Sequence, residues 1–239
     1  MDTLDILYIA AGILFFPAII WMIIAGLRVR KVFRKYNQIA SRSAISGSQM
    51  AKGVLERAGL NEIDVILVNG ALNDHFDPRD NTVYLSAETY NSTSVAALGI
   101  AAHEVGHAIQ HNERYAPLKF RTAIAPVINI TSRLAFPLIL IGIMLEFFMY
   151  LREYANYALI AGIIFYGSYT LFTLITLPVE YNASRRAKSI LYESGILTLE
   201  ETKMASEVLS AAAKTYLAAF VVSLLQFLRL LSLFTGRRR

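Results

Sequence analysis

Two histidines and a glutamate stand at a spacing that can hold a metal ion and use it. The chain reads His103-Glu104-Val-Gly-His107. On an α-helix, residues four apart share one face, about 6 Å apart along the axis, so both imidazoles can reach one zinc ion. The carboxylate of Glu104 can act as a base toward a water molecule without being a ligand. The spacing predicts hydrolytic zinc chemistry.

The residues around this motif favour a metal site over two histidines that are merely hydrogen-bonded in a core. Residues 95–109 are otherwise Ala, Val, Leu, Ile and Gly, which predicts a helix buried nearly all round. Residues 91–94, Asn-Ser-Thr-Ser, offer caps for its N-terminus. Ionisable groups inside such a helix are costly without partners, and a metal ion is a partner for both imidazoles.

The third zinc ligand is expected from a second segment, because a catalytic zinc ion usually takes three protein ligands. His111 follows His103 by eight residues, about 12 Å along a helix axis, which is too far for both to bind one ion. Gln110 occupies the position where the metzincin pattern has glycine, which excludes that pattern. The best candidate is Glu180, at the start of a predicted amphipathic helix. The helix dipole alone would equally favour a carboxylate there.

The composition of the chain is typical of a membrane protein. Of 239 residues, 55% are hydrophobic and 17% are charged, with a mean hydropathy of +0.45, against roughly 25% charged residues in soluble domains. These values exclude a disordered chain and argue against an ordinary cytosolic enzyme. The chain has no cysteine, and therefore no disulfide framework or cysteine metal site. We attribute the net charge of +5 to membrane topology and expect no nucleic-acid partner.

Three apolar runs can cross a bilayer core, which needs about 20 apolar residues in a helix. They are residues 6–27, 134–150 and 157–177. The first is too long for a signal peptide, so we expect a retained anchor. A fourth stretch, residues 215–234, is interrupted by Gln226 and Arg229. Since a charge near mid-span costs about 2.5–3.5 kcal/mol, we expect three spans and a C-terminal helix that does not fully cross.

Basic residues predict the orientation of these spans, because cytoplasmic flanks are enriched in Lys and Arg. Basic clusters follow the first and third runs, at Arg28, Arg30, Lys31, Arg34 and Lys35 and at Arg185, Arg186 and Lys188. The short turn between the second and third runs offers only Arg152, beside Glu153. We therefore expect residues 28–133 and the segment after residue 178 in the cytoplasm.

The polar segments predict a few short elements around the motif. An amphipathic helix is expected over Ser48–Ala58, ended by Gly59, and strands over Ile63–Val68 and Thr82–Ser86. Residues 69–81 are rich in Gly, Asn, Asp and Pro, which predicts a loop or hairpin connection. Thr198 to Glu201 form a capping box that starts another helix. The strand over Thr82–Ser86 is either a core strand or an edge that pairs with an extended substrate.

Three segments together resemble one family. They are A-A-H-E-V-G-H-A-I-Q-H at residues 101–111, the loop D-H-F-D-P-R at 74–79 before a strand ending in L-S, and L-P-V-E-Y-N-A-S-R-R-A at 177–187. In combination they are similar to the YugP-like neutral zinc metallopeptidases of bacterial membranes, which look related to the membrane gluzincins. The resemblance covers nearly the whole chain. It implies His103, His107 and Glu180 as zinc ligands and Glu104 as the catalytic base.

The expected fold is an α-helical multi-pass membrane protein with a small α+β zincin-like metallopeptidase domain at the cytoplasmic membrane surface. Residues 1–239 would form this one domain, with the catalytic part mainly in 44–125 and 178–214. The resemblance implies a zinc-dependent endopeptidase of the bacterial plasma membrane. Because Glu180 follows the third span by only three residues, we expect the zinc close to the cytoplasmic membrane surface. The partners of the enzyme would be the lipid bilayer and a membrane-protein or peptide substrate. A catalytically silent zinc-binding scaffold and a zinc hydrolase of lipids or non-peptide amides are the alternatives.

The sequence leaves open which side chains orient the two ligating histidines. Related gluzincins often carry an acidic residue four positions after the ligand glutamate, where this chain has Ser184. Asn182 stands where members of the YugP-like family tend to have aspartate. Carboxylates near a zinc site orient the ligating histidines, so Asp74 or Asp77 is an alternative source.

A donor that stabilises the oxyanion is also expected. His75 and Arg185 are the candidates. Both residues also have a non-catalytic explanation, since His75 lies in a polar loop and Arg185 belongs to a basic membrane flank.

Overall fold

Long helices and a small mixed sheet make up residues 3–70 and 73–236, the part of the chain that the computed structural model describes. The helices are α1 Thr3–Asn37, α2 Gly47–Arg57, α3 Ala87–Tyr90, α4 Val95–Asn112, α5 Ala116–Met149, α6 Arg152–Glu193 and α7 Leu199–Gly236. The strands are β1 Asp64–Val68, β2 His75–Asp77 and β3 Thr82–Ser86.

The chain divides into two compact units. The first, here called the apolar unit, comprises Met1–Ile24, Phe120–Leu177 and Tyr216–Arg239. The second, here called the sheet unit, comprises Ala25–Lys119 and Pro178–Thr215. Helices α1, α5, α6 and α7 each contribute residues to both units.

Small residues form the helix contacts of the apolar unit. Gly142 of α5 and Gly162 of α6 lie so close to the opposite helix that a Cβ atom would stand 2.6 Å from Leu159 and from Ile139, respectively. Ala135 and Ala155 are fully buried in the same contact. Contacts between small residues are typical of helices packed in a membrane, where backbones approach closely.

Four helices of the described chain are long and apolar enough to cross a membrane: α1 from Ile6, α5, α6 and α7. The runs expected over residues 6–27 and 157–177 lie in α1 and α6, and the run over 134–150 lies in α5 except for Tyr150, which follows the end of that helix. The stretch 215–234 lies in α7, which meets the same criteria despite Gln226 and Arg229. It is therefore a fourth candidate span, where the sequence led us to expect three.

The sheet unit is built on β3, which lies between its two neighbours in the order β1-β3-β2. It pairs parallel with β1 and antiparallel with β2. Val83 and Leu85 of β3 are completely buried and belong to one apolar core with Leu98 of α4 and Leu191 of α6. Because both edges of β3 are occupied, the expectation that it pairs with a substrate strand is wrong, and the core-strand alternative holds.

Most local elements of the sheet unit follow their sequence signals. Helix α2 begins with a capping box between Ser46 and Gln49 and is followed by Gly59 at a positive φ of 72°, a conformation that glycine adopts readily. The capping box at Thr198 also forms, since Thr198 N–H donates to Glu201 at 2.8 Å. Residues 69–81, expected as a loop or hairpin connection, also contain the short strand β2.

Candidate metal centre

Helix α4 carries the two histidines and Glu104. Ser94 caps its N-terminus, because the Ala97 N–H donates to Ser94 Oγ at 3.1 Å. Nearly every side chain of the helix from Val95 to Ala108 is buried, as the apolar sequence predicts. The rings of His103 and His107 stand edge to face, 4.7 Å apart, as expected for residues four apart on one face.

Helix α6 carries Glu180, in a segment where the helix continues through Pro178. The expectation that Glu180 starts a helix is therefore wrong, and so is the alternative of a carboxylate held by the helix dipole. Proline removes one backbone donor, which a helix tolerates at a cost. Glu180 is 3% exposed.

A close contact between α4 and α6 positions Glu180 opposite the histidines. At Gly106, a Cβ atom would stand 2.9 Å from the carbonyl oxygen of Ala183. Ala183 lies three residues after Glu180, which is nearly one helical turn, and both side chains are buried. Glycine inside the H-E-x-x-H motif thus allows α6 to approach the face of α4 that carries the imidazoles.

The three side chains converge with the geometry of a zinc site. Glu180 Oε2 lies 3.3 Å from His103 Nε2 and 3.7 Å from His107 Nε2. One ligand atom from each residue lies within 4.8 Å of the others. Bond lengths of 2.0–2.2 Å in a tetrahedron place ligand atoms about 3.3–3.6 Å apart, so the spacing and the His-His-Glu donor set fit zinc.

Two buried carboxylates make this site favourable for positive charge. Burial raises the pKa of Glu104 above its ordinary value, although His103 and His107 oppose that shift. For His107, burial lowers the pKa, but contacts with Glu180 and Glu104 outweigh it, and the net pKa is raised. Glu104 is only 7% exposed, so its carboxylate is shielded from bulk water beside the histidines.

The partners of the two imidazoles are not the aspartates. His103 Nδ1 lies 3.3 Å from Ser184 Oγ, and His107 Nδ1 lies 3.0 Å from Gln110 Oε1. Asp74 instead accepts from the backbone and hydroxyl of Ser86, at 2.8 and 3.1 Å.

Asp77, the other aspartate considered, binds Arg79, which lowers the pKa of Asp77 to about 2. Gln110 is completely buried. From the sequence we considered it only as a mismatch to the metzincin pattern. The sequence feature that could have indicated its contact with His107 is its position three residues later, on the same helix face.

The other residues singled out in the sequence lie on exposed positions. His111, at the end of α4, is exposed and its ring contacts Phe76 at 5.7 Å. His75 on β2 is exposed, stacks on Tyr84 at 4.8 Å and has its Nδ1 2.9 Å from the Asn73 carbonyl oxygen. Arg185 is an exposed residue of α6. The oxyanion roles considered for His75 and Arg185 stay predictions.

Comparison with known proteins gives two matches. Residues 11–235 match the model of a family described as "Putative neutral zinc metallopeptidase". The chain is also similar to the "Putative membrane protease YugP" of Bacillus subtilis (strain 168), with 41% identity over 215 residues. This alignment covers 90% of the chain and 92% of the relative. No solved structure matches.

Proposed function

Because this chain belongs to the neutral zinc metallopeptidase family, we propose that it is a membrane endopeptidase of the gluzincin type. Zinc would be held by His103, His107 and Glu180. The substrates would be membrane proteins or peptides close to the bilayer, and the enzyme would act in the plasma membrane of a bacterium.

One observation carries the proposal: Glu180 meets the two imidazoles at 3.3 and 3.7 Å while Glu104 stays buried beside them. A site that only stabilises a fold needs its ligands but has no need of a further buried carboxylate. Burying such a group without a partner is costly. The presence of Glu104 therefore favours hydrolysis over a silent scaffold.

Glu104 would transfer the proton in a reaction that the bound metal promotes. When bound, zinc supplies Lewis acidity, which activates a water molecule and polarises the scissile carbonyl. Glu104 accepts a proton from the attacking water at a carboxylate oxygen and delivers it to the leaving amine nitrogen as the C–N bond breaks.

Sequence position supports a substrate at the membrane. Glu180 follows Leu177, the last apolar-unit residue of α6, by three positions. The basic clusters after the first and third apolar runs favour a cytoplasmic site. We propose that the enzyme cleaves loops or tails of membrane proteins on that side.

The decisive experiment compares wild type with Glu104→Gln for bound zinc and for cleavage of an unfolded protein substrate. The amide keeps the size of the side chain but cannot accept the proton. We expect zinc to be retained and the cleavage rate to fall by at least about a hundredfold, the lower end of a general base's contribution. Glu88→Gln is the matched control, because Glu88 is an exposed carboxylate on α3, and it should cleave like wild type.

The other outcomes each select a different conclusion. If Glu104→Gln cleaves as fast as wild type, Glu104 is not the base. Zinc-loaded wild type that cleaves no protein or peptide would favour the scaffold. Release of fatty acid from a lipid, or of an amine from a non-peptide amide, in the absence of peptide cleavage would favour the other hydrolase.

Orientation is testable because the chain has no cysteine of its own. Arg152→Cys and Glu88→Cys each place one thiol at an exposed position. In intact cells, a membrane-impermeant maleimide should label Arg152→Cys, and should label Glu88→Cys only after permeabilisation. The reverse pattern would contradict a cytoplasmic site.

A further inference from the structure

A chain of hydrogen bonds ties α6 to the end of α4 beside the site. Arg186 on α6 donates two hydrogen bonds to Glu113, at 3.0 and 2.6 Å. The Nε–H of Arg186 donates to Asn182 Oδ1 at 2.8 Å. A guanidinium has donors and no acceptor, so Asn182 must present its oxygen, and not its NH₂ group, to Arg186.

The donor and acceptor roles in this series of hydrogen bonds fix the orientation of the Gln110 amide. Gln110 Nε2 lies 2.8 Å from Asn182 Oδ1 and 2.9 Å from the carbonyl oxygen of Val179. Both partners only accept at these atoms, and an amide NH₂ has two hydrogens to donate. The NH₂ group of Gln110 must face α6, and its Oε1 must face the other way.

Gln110 Oε1 in turn fixes where His107 carries a hydrogen. The oxygen is 3.0 Å from His107 Nδ1 and can only accept, so Nδ1 must be protonated. In the neutral ring, the lone pair then lies on Nε2. Nε2 is the atom that stands 3.7 Å from Glu180 Oε2.

His103 has no comparable constraint. Its Nδ1 lies 3.3 Å from Ser184 Oγ, and a hydroxyl can either donate or accept. Ser184 can therefore hydrogen-bond to His103 Nδ1 whether that nitrogen is protonated or not. Gln110 Oε1 can hydrogen-bond to His107 Nδ1 only when that nitrogen is protonated.

We propose that Gln110 is a positioning residue that holds His107 with its Nδ1 protonated and its Nε2 free for the metal. The inference deepens the proposed function and rests on it for the identity of the metal. Residues of α6 set the orientation of the Gln110 amide, through Asn182 and the carbonyl oxygen of Val179. Partners of this kind typically contribute 10–100-fold to metal affinity.

The first test is zinc affinity, measured by competition with a chromogenic chelator on the full-length protein in detergent. Gln110→Met has a similar shape but offers only a weakly accepting thioether sulfur, and its zinc affinity should fall 10–100-fold. Gln110→Glu keeps an oxygen toward His107, so its affinity should lie between those of Gln110→Met and wild type. Ser184→Ala is the comparison at the other histidine and should lose less than Gln110→Met.

The second test observes the proton itself and does not depend on zinc. In protein labelled with ¹⁵N-histidine, His107 Nδ1, assigned by its loss in His107→Gln, should be protonated in the metal-free and zinc-loaded forms alike. Its N–H should exchange faster with solvent in Gln110→Met. A thermal melt of each variant shows whether it is folded. Gln110→Ala, which removes the acceptor without adding bulk, serves if Gln110→Met does not fold.

The outcomes separate this inference from the proposed function. An unprotonated His107 Nδ1 in wild type, or zinc affinity of folded Gln110→Met within twofold of wild type, would overturn the role of Gln110. A protein that shows these effects but cleaves nothing would retain the role of Gln110 and lose the peptidase. If Gln110→Met does not fold, folded Gln110→Ala with wild-type affinity and exchange would equally contradict it.

Discussion

The apolar unit exposes far more large apolar side chains than the sheet unit does. In the sheet unit, Val83, Leu85 and Leu98 are completely buried, as in a protein surrounded by water. In the apolar unit, large apolar side chains such as Leu140 and Ile164 are exposed, while Thr170 and Ser223 meet in a contact between α6 and α7. The difference indicates two solvents, water for one unit and lipid for the other.

Both units use glycine to bring helices together, with different consequences. In the apolar unit, Gly162 lets α5 and α6 pack and touches no ionisable side chain among its nearest neighbours. In the sheet unit, Gly106 brings α6 against α4 at the position where Glu180 must reach the imidazoles. The same packing device therefore stabilises one unit and assembles a candidate site in the other.

The largest effect on this comparison should come from Glu180, the proposed zinc ligand on α6. Glu180→Gln removes the charged donor, and zinc affinity should fall by more than a hundredfold, beyond the range of residues that only support ligands. Glu193→Gln changes an exposed carboxylate of the same helix and should leave affinity unchanged. Equal affinity in Glu180→Gln and wild type, measured by chelator competition, would remove Glu180 from the site.

Gly106→Ala should have the next largest effect. The added Cβ would meet the Ala183 carbonyl oxygen at 2.9 Å, so α4 and α6 must separate, at a cost of about 1–3 kcal/mol for overpacking. Zinc affinity should fall about tenfold, as Glu180 shifts relative to the imidazoles. Gly53→Ala in α2 has nothing within 4 Å of the added atom and should stabilise the helix by about 0.5–1 kcal/mol. Identical affinity in both variants would contradict the assembly role of Gly106.

Gly162→Ala should affect stability but not zinc. Its Cβ would stand 2.6 Å from Ile139 Cγ1 and 2.9 Å from the Ala135 carbonyl oxygen, and overpacking should cost about 1–3 kcal/mol. We expect a lower melting temperature in detergent with zinc stoichiometry preserved. A large loss of zinc with an unchanged melting temperature would contradict a role of Gly162 in helix packing alone.

The smallest perturbation tests the two solvents directly. Leu140 in the apolar unit and Leu67 in the sheet unit are similarly exposed, at 58% and 47%. In opened membranes, a water-soluble maleimide should label Leu67→Cys and leave Leu140→Cys unlabelled, because a thiol surrounded by lipid is inaccessible to it. Zinc binding should be unaffected in both. Rapid labelling of Leu140→Cys would place that face in water.

Much of the local structure could be predicted from sequence because its causes lie within a few residues. The caps at Ser94 and Thr198 and the strand over Thr82–Ser86 follow from neighbouring side chains. Prediction was weaker where partners are distant in sequence. The central position of β3 depends on β2, a three-residue strand inside a segment that reads as a loop. Likewise, Asp74 was a reasonable partner for a histidine by residue type, but it binds Ser86.

The sequence by itself determined the face that His103, Glu104 and His107 share, because helical periodicity places residues four apart together wherever the helix lies. It also determined that the chain has segments apolar enough for a membrane. Only the tertiary structure decided that Glu180 meets those imidazoles and that Gln110, and not an aspartate, supports His107. The contacts of Glu180 with His103 and of Gln110 with α6 join positions 69 to 77 residues apart. They depend on how closely two helices can approach, which no local pattern of the sequence specifies.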